Sequence, residues 1–269
     1  MKNTHIDLLT EFLNTPLDCG DLIFERFAAL EGAVVGKGEK PLQRYVYVPG
    51  TRKDGVVLVA HTDTVWDKNY PAAFGGERGV EFSDGVFRST NPKCGLGADD
   101  RAGCAMLFAL RNSGHSLLIV DGEEKGKHGA KYLRKSNRKL LKELNRHYFM
   151  LELDWCGTNF CLYNQVDNTD KFKEYILSSI GFEDEKKDGG CDLQVLCARI
   201  CGTNLGVGYH NHHRAGETLV LSEWENTLEK LNSFLAKPQT RFKCKIFPKY
   251  VRLAKRAVNK ALRVLRFKK

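Results

Sequence analysis

Val56-Val57-Leu58-Val59-Ala60-His61-Thr62-Asp63-Thr64 is the stretch on which the fold is read. Its first five residues form a continuous apolar run, as in strands buried on both faces of a sheet. The run ends directly in a histidine and an aspartate two residues apart. In open α/β sheets ligands gather beyond the carboxyl ends of the strands, and His61 and Asp63 project there. Residues two apart on an extended chain share a face. That brings the Asp63 carboxylate near the imidazole, where it fixes the tautomer, as carboxylates do behind metal-bound histidines. The same HxD also describes a polar loop with a solvated histidine.

The pattern recurs downstream. Leu117-Leu118-Ile119-Val120 is a second buried strand, followed by Asp121-Gly122-Glu123-Glu124-Lys125-Gly126, and Tyr148-Phe149-Met150-Leu151-Glu152-Leu153-Asp154 is a third with a carboxylate at its end. Two adjacent glutamates at a strand end can divide the work, one binding metal while its neighbour takes a proton from water and later returns it to a leaving amine. An exposed acidic turn is the alternative.

Between the first two strands, Leu96-Gly97-Ala98-Asp99-Asp100-Arg101-Ala102-Gly103 sets two carboxylates between a glycine turn and a helix marked by Ala102, Ala105, Met106, Ala109 and Leu110. The two oxygens of one aspartate can each hold a metal ion and bridge a pair. The competing reading is a helix N-cap. Further on, His210-Asn211-His212-His213 puts three histidines in four residues, a pattern that points to metal and also occurs on bare surfaces.

The remaining pattern is scaffold. Helices are predicted over 4–13 and, after Pro16, through Leu22, Phe24, Phe27 and Leu30, with a strand over 43–48 ended by Pro49-Gly50. A glycine-rich segment over 75–85 reads as containing a hairpin, Leu162-Tyr163 as a hairpin continuation, 169–180 as a helix and 183–190 as a solvated loop. Ser222-Glu223-Trp224-Glu225 reads as a capping box opening a helix through Leu228, Leu231 and Leu235.

Composition narrows the class. A chain of 269 residues with 42% hydrophobic and 28% charged residues can bury a real core, and no apolar run approaches the roughly 20 residues of a membrane helix. The start lacks an apolar signal core, so a cytoplasmic protein is expected. Nine scattered cysteines, odd in number and without a CxxC pair, read as reduced thiols and argue against a disulfide framework or a structural zinc finger. The net charge of +9 is local: 241–269 holds twelve Lys and Arg and no Asp or Glu, leaving 30 basic against 33 acidic residues, a net of −3, over 1–240. We read 1–240 as one domain and 241–269 as a basic amphipathic tail, with Val251, Ala254, Val258, Ala261, Leu262 and Leu265 at helical spacing. Such a tail can meet an anionic membrane, an acidic partner or nucleic-acid phosphates, or pack its stripe on the domain. It carries no recognisable nucleic-acid motif.

Taken in order, the motifs VLVAHTDTV, GLGADDRAGCA, DGEEKG, LELD and GYHNHHRAGETLVLS resemble those of the co-catalytic zinc exopeptidases, the superfamily of leucyl aminopeptidases, peptidase T and carboxypeptidase G-type enzymes. The resemblance spans about 56–235. It implies an α/β fold of three α/β/α layers around a central mixed β-sheet, two Zn²⁺ ions per chain, and a cis peptide between Asp99 and Asp100. By position it implies that His61 binds one zinc with Asp63 orienting it, that Asp99 bridges both ions, and that Asp154 completes the first site. Glu123 would be the general base and Glu124 a ligand of the second zinc. The last ligand would be His213, which stands four residues before Glu217 as in the family, with His210 and His212 the alternatives.

Larger members insert a lid and dimerisation domain between the Asp154 and His213 positions. Only 58 residues separate them here, which points to the compact branch without it. The implied activity is amide hydrolysis, by preference of small peptides from the amino end. A deacylase of N-acyl amino acids is the alternative, and a non-catalytic binding protein on the same fold is the rival of another class. Every ligand and base position is filled, which favours the enzyme.

Overall fold

The computed structural model describes residues 4–68, 78–158, 160–161, 166–185, 189–242 and 244. Helices α1 (Thr4–Leu13) and α2 (Asp21–Ala28) precede strands β1 (Val34–Lys37), β2 (Arg44–Val48) and β3 (Val57–His61). The hairpin of β4 (Val80–Ser83) and β5 (Val86–Ser89) leads to α3 (Ala98–Ala109) and β6 (Ser116–Val120). Then come α4 (His128–Ser136), α5 (Arg138–Leu144), β7 (Met150–Cys156), β8 (Phe160–Cys161), α6 (Asp170–Ile180), α7 (Leu193–Leu196), β9 (Gly202–His210), β10 (Thr218–Val220) and α8 (Leu221–Leu235).

Among the described residues the strands form one mixed sheet in the order β1-β2-β6-β3-β7-β9-β10-β5-β4, with β8 added on β9. The central four, β6, β3, β7 and β9, are parallel. The strands outside them pair antiparallel. Parallel strands need cover on both faces, and the pleat of the central strands divides their side chains between two cores. Leu58, Ala60, Leu117, Ile119, Leu151 and Leu153 pack under α1, α2, α3, α6 and α8. Val57, Val59, Leu118, Val120 and Met150 pack under α4, α5 and α7. The apolar run of β3 is thus sealed from water on both sides, and the three-layer α/β/α arrangement follows.

The connection from β3 to β6 crosses one face through α3, and that from β6 to β7 passes behind β3 on the other face through α4 and α5. The carboxyl ends of β3, β6 and β7 therefore open a crevice where the crossovers diverge. The helices expected before residue 240 and the central strands are present. Pattern alone had not marked α4, whose buried side is only Gly129, Ala130 and Leu133.

One correction concerns α8. It begins at Leu221 straight from β10, with Val220 as N-cap and no capping side chain, so Ser222 does not open it. The Leu221 amide instead donates to the Gly85 carbonyl (2.9 Å), and the expected box residues point elsewhere, Glu225 to His5 (2.8 Å). Leu162, Tyr163 and nearly all of the basic tail lie outside the described residues; Phe242, near the tail's start, packs on Phe172 and Tyr175 of α6. No helix among the described residues is long and apolar enough to cross a membrane.

Candidate metal centre

The site begins with how the two aspartates divide their labour. Gly97 takes a left-handed conformation (φ 72°), and Asp99 and Asp100, joined by a cis peptide, leave helical geometry before α3 settles. Asp100 turns inward: Oδ1 accepts from the Gly103 amide (3.0 Å) and Oδ2 from the His61 amide (3.1 Å). It is the helix-capping residue of the pair. Asp99 faces the crevice. Glycine at 103 is required, because a Cβ there would lie 1.9 Å from the Leu153 carbonyl oxygen as α3 crosses β7. Behind Asp99, the buried Glu217 accepts from the Gly97 amide (2.7 Å) and the Asp99 amide (3.0 Å), and burial raises its pKa to about 7.

Asp99 stands between two groups. Its Oδ1 lies 3.3 Å from His61 Nε2, which is itself 3.4 Å from Asp154 Oδ1. Its Oδ2 lies 3.2 Å from His213 Nε2, which is 2.6 Å from Glu124 Oε1. Each half offers one imidazole nitrogen and a carboxylate, and Asp99 serves both. His61, Asp100 and Asp154 also lie close enough to share an ion. Both Asp100 oxygens are already taken by amides, however, so Asp99 is the better donor. The buried Asp99 Oδ1 has no hydrogen-bond partner among the described residues. An orphaned carboxylate oxygen facing an imidazole and a second carboxylate, in a set of two nitrogens and three carboxylates, fits a zinc pair.

The surrounding bonds aim these donors. His61 Nδ1 donates to Asp63, 3.0 Å from its carbonyl oxygen and 3.2 Å from Oδ1, which leaves Nε2 for the crevice. The Asp63 carboxylate in turn accepts from the Glu123 amide (3.0 Å) and the Glu124 amide (3.2 Å), so it ties the end of β3 to the glutamate pair. Asp154 is held through its backbone by Asn204 (2.9 and 2.6 Å) and at Oδ1 by the Tyr209 hydroxyl (3.2 Å). Without metal, hydrogen bonds to Asp99 and Glu124 raise the His213 pKa to about 10. Burial opposes a charge on His61, yet Asp154, Asp63 and Asp99 push its pKa well above the usual value.

Of the expected site residues, the side chains of His61, Asp63, Asp99, Glu124, Asp154 and His213 are brought together here, and Glu123 is joined to them through its amide on Asp63, with its carboxylate against Lys127. Of the three clustered histidines, only His213 reaches Asp99 and Glu124. His210 Nε2 pairs with Glu223 (2.7 Å), and the His212 ring lies against those of Trp155, Tyr209 and His213.

Solved structures superpose on the fold. Aminopeptidase PepT from Bacillus cereus ATCC 10987 matches with a TM-score of 0.64 at 15% identity, over 86% of this chain and 97% of that one. A tripeptidase from Staphylococcus aureus subsp. aureus Mu50 gives 0.61 at 14%, over 86% and 97%. Aminopeptidase APDkam598 from the archaeon Desulfurococcus kamchatkensis gives 0.62 at 12%, over 87% and 94%. The fold is that of these aminopeptidases. No family model and no curated protein matches the chain in sequence, so the likeness carries architecture, and chemistry rests on the site.

Several residues that shape the site were not singled out by sequence. Glu217 served there only as a spacing mark, and it is the group that fixes the Asp99 backbone. Arg101 is fully buried and donates to the carbonyls of Thr62 (2.6 Å) and Pro16 (2.9 Å), fastening the loop after β3. Lys127 lies 2.8 Å from Glu123 Oε1. A charged residue inside an apolar motif, as Arg101 is, was the available signal.

Proposed function

We propose that the chain is a di-zinc aminopeptidase of small peptides, with the activity in residues 1–240. The observation that carries this reading is Asp99, whose two oxygens face two separate histidine and carboxylate pairs beside Glu123. His61, Asp99 and Asp154 would hold one zinc, and Asp99, Glu124 and His213 the other. When bound, such a pair supplies an acidified water and an electrophile for the scissile carbonyl oxygen.

The chain's own residues do the rest. Glu123 takes the proton from the attacking water and delivers it to the departing nitrogen, so one carboxylate serves as base and then as acid. Asp63 keeps His61 in the tautomer that presents Nε2, and its bonds to the Glu123 and Glu124 amides hold base and ligand in register with β3. Tyr209 and Asn204 keep Asp154 aimed, and Glu217 fixes the backbone of Asp99.

The test combines metal analysis with a panel of peptides and N-acyl amino acids, on the wild-type chain and Glu123→Ala. We expect about two zinc ions per chain, release of amino-terminal residues by the wild type, and background turnover by the variant with its zinc retained. Cleavage of acyl amino acids alone would make the chain a deacylase. Unchanged turnover by Glu123→Ala would remove the base assignment.

A further inference from the structure

The loop behind Glu123 holds a cation that the reaction as derived does not use. Lys127 adopts a left-handed conformation (φ 64°), and its amide donates to the Glu123 carbonyl (3.0 Å). The side chain folds back over this turn to bring Nζ within 2.8 Å of Glu123 Oε1, an ion pair whose Lys127 and Glu123 side chains are only 17% and 9% exposed and in which Oε1 has no aligned hydrogen bond among the described residues. Space for the ammonium is left by Gly190, where a Cβ would sit 3.0 Å from Nζ. Just beyond is Asp192, fully buried, neither of whose carboxylate oxygens has a hydrogen-bond partner among the described residues. Its amide donates to the buried Glu152 (3.1 Å). Burial disfavours the charge on Lys127, and the negative charges of Glu123 first and Asp192 second outweigh it.

A pair this deeply buried is poor stabilisation, since desolvation of two charges consumes most of their attraction. Its effect on geometry is larger. A free carboxylate rotates and presents either oxygen, whereas one with an oxygen held against a buried cation in a close ion pair presents the other in a preferred direction. We propose that Lys127 is the positioning residue of the base: its ammonium pins Glu123 Oε1 and leaves Oε2 to meet the attacking water, while Asp192 supplies the counter-charge that keeps the ammonium in place. The inference rests on Glu123 being the base of the proposed reaction.

Lys127→Met, Lys127→Arg and Asp192→Asn test it with zinc-loaded protein and a peptide that the wild type cleaves. Lys127→Met is expected to lower kcat about 10- to 100-fold, the cost of a misplaced group, with KM and bound zinc unchanged. Lys127→Arg should recover most of the loss, and Asp192→Asn should lose less than Lys127→Met. Full kcat in Lys127→Met, or a loss explained by missing zinc, overturns the proposal.

A second readout does not depend on turnover. Crystal structures of zinc-free wild type and Lys127→Met should show the Glu123 carboxylate displaced in the variant, and an unmoved carboxylate overturns the proposal. Lys127→Arg serves the same comparison if the methionine variant does not fold, its carboxylate expected in the wild-type place. A wild type that hydrolyses no amide defeats the functional reading alone, and the structures still decide whether Lys127 places Glu123.

Discussion

At opposite ends of the same parallel strands sit two pairs of histidines in contrasting circumstances. At the carboxyl end, His61 and His213 face carboxylates, and these raise both pKa values. At the amino end, burial lowers those of His115 and His147. There each ring nitrogen has a partner within the protein. His115 Nδ1 accepts from the Val56 amide (3.1 Å) and Nε2 donates to the Leu235 carbonyl (3.0 Å). His147 Nδ1 donates to the Glu143 carbonyl (3.2 Å) and Nε2 accepts from the Ser116 hydroxyl (2.8 Å), which receives the Gly50 amide (2.9 Å). The amino end is a closed hydrogen-bond circuit that joins strands to helix ends. The carboxyl end gathers acids around two imidazoles and leaves an oxygen of Asp99 with no hydrogen bond among the described residues, an arrangement that a cation completes.

The largest expected effect breaks the carboxyl end alone. Asp99→Ala should lose both zinc ions and bring peptide hydrolysis to background while the chain stays folded, as read by metal analysis, turnover and circular dichroism. Retention of both ions would mean that Asp99 joins nothing.

At the amino end the consequence should be stability without chemistry. His115→Ala leaves the Val56 amide and the Leu235 carbonyl unpaired, at about 1–3 kcal/mol for each unsatisfied group. Urea unfolding should show that loss with turnover per folded molecule unchanged.

The two ends also predict opposite responses to pH in the zinc-free chain. The folded pKa of His115 is depressed, so below about 6.5 the unfolded chain takes up the proton first and stability falls with pH. His213 has a raised folded pKa, so its contribution is full below about 6.5 and is lost as pH climbs through about 10. Denaturant midpoints of His115→Ala and His213→Ala against wild type should therefore diverge from it in opposite pH ranges. Zinc needs neutral imidazole, so loading at pH 7 should release protons from His61 and His213, measurable by calorimetry in buffers of different ionisation enthalpy.

The smallest effect sharpens the choice among the clustered histidines. The His210 and Glu223 side chains are 41% and 32% exposed, so His210→Ala should cost about 0–1 kcal/mol and leave zinc and turnover intact.

Much of this was legible in the chain because the informative groups are local. The run before His61, the Asp99-Asp100 pair and the Glu123-Glu124 pair each announce a strand end or helix start within a few residues, and the resemblance to zinc exopeptidases orders them. Glu217 was less visible, since its bonds to Gly97 and Asp99 span about 120 residues. Lys127 was not visible either, because neither its burial nor the charge of Asp192, 65 residues further on, can be read from the residues around Glu123. The capping box at Ser222 was misread because local propensity did not foresee that β10 would run straight into α8 with Gly85 taking up the free amide.

The central claim is that one aspartate joins two cations. Anomalous diffraction at the zinc edge, from crystals of the zinc-loaded chain, tests it most directly. Two peaks about 3.5–4 Å apart should flank Asp99, one beside His61 and Asp154 and the other beside Glu124 and His213. A single peak, or peaks remote from Asp99, would contradict it.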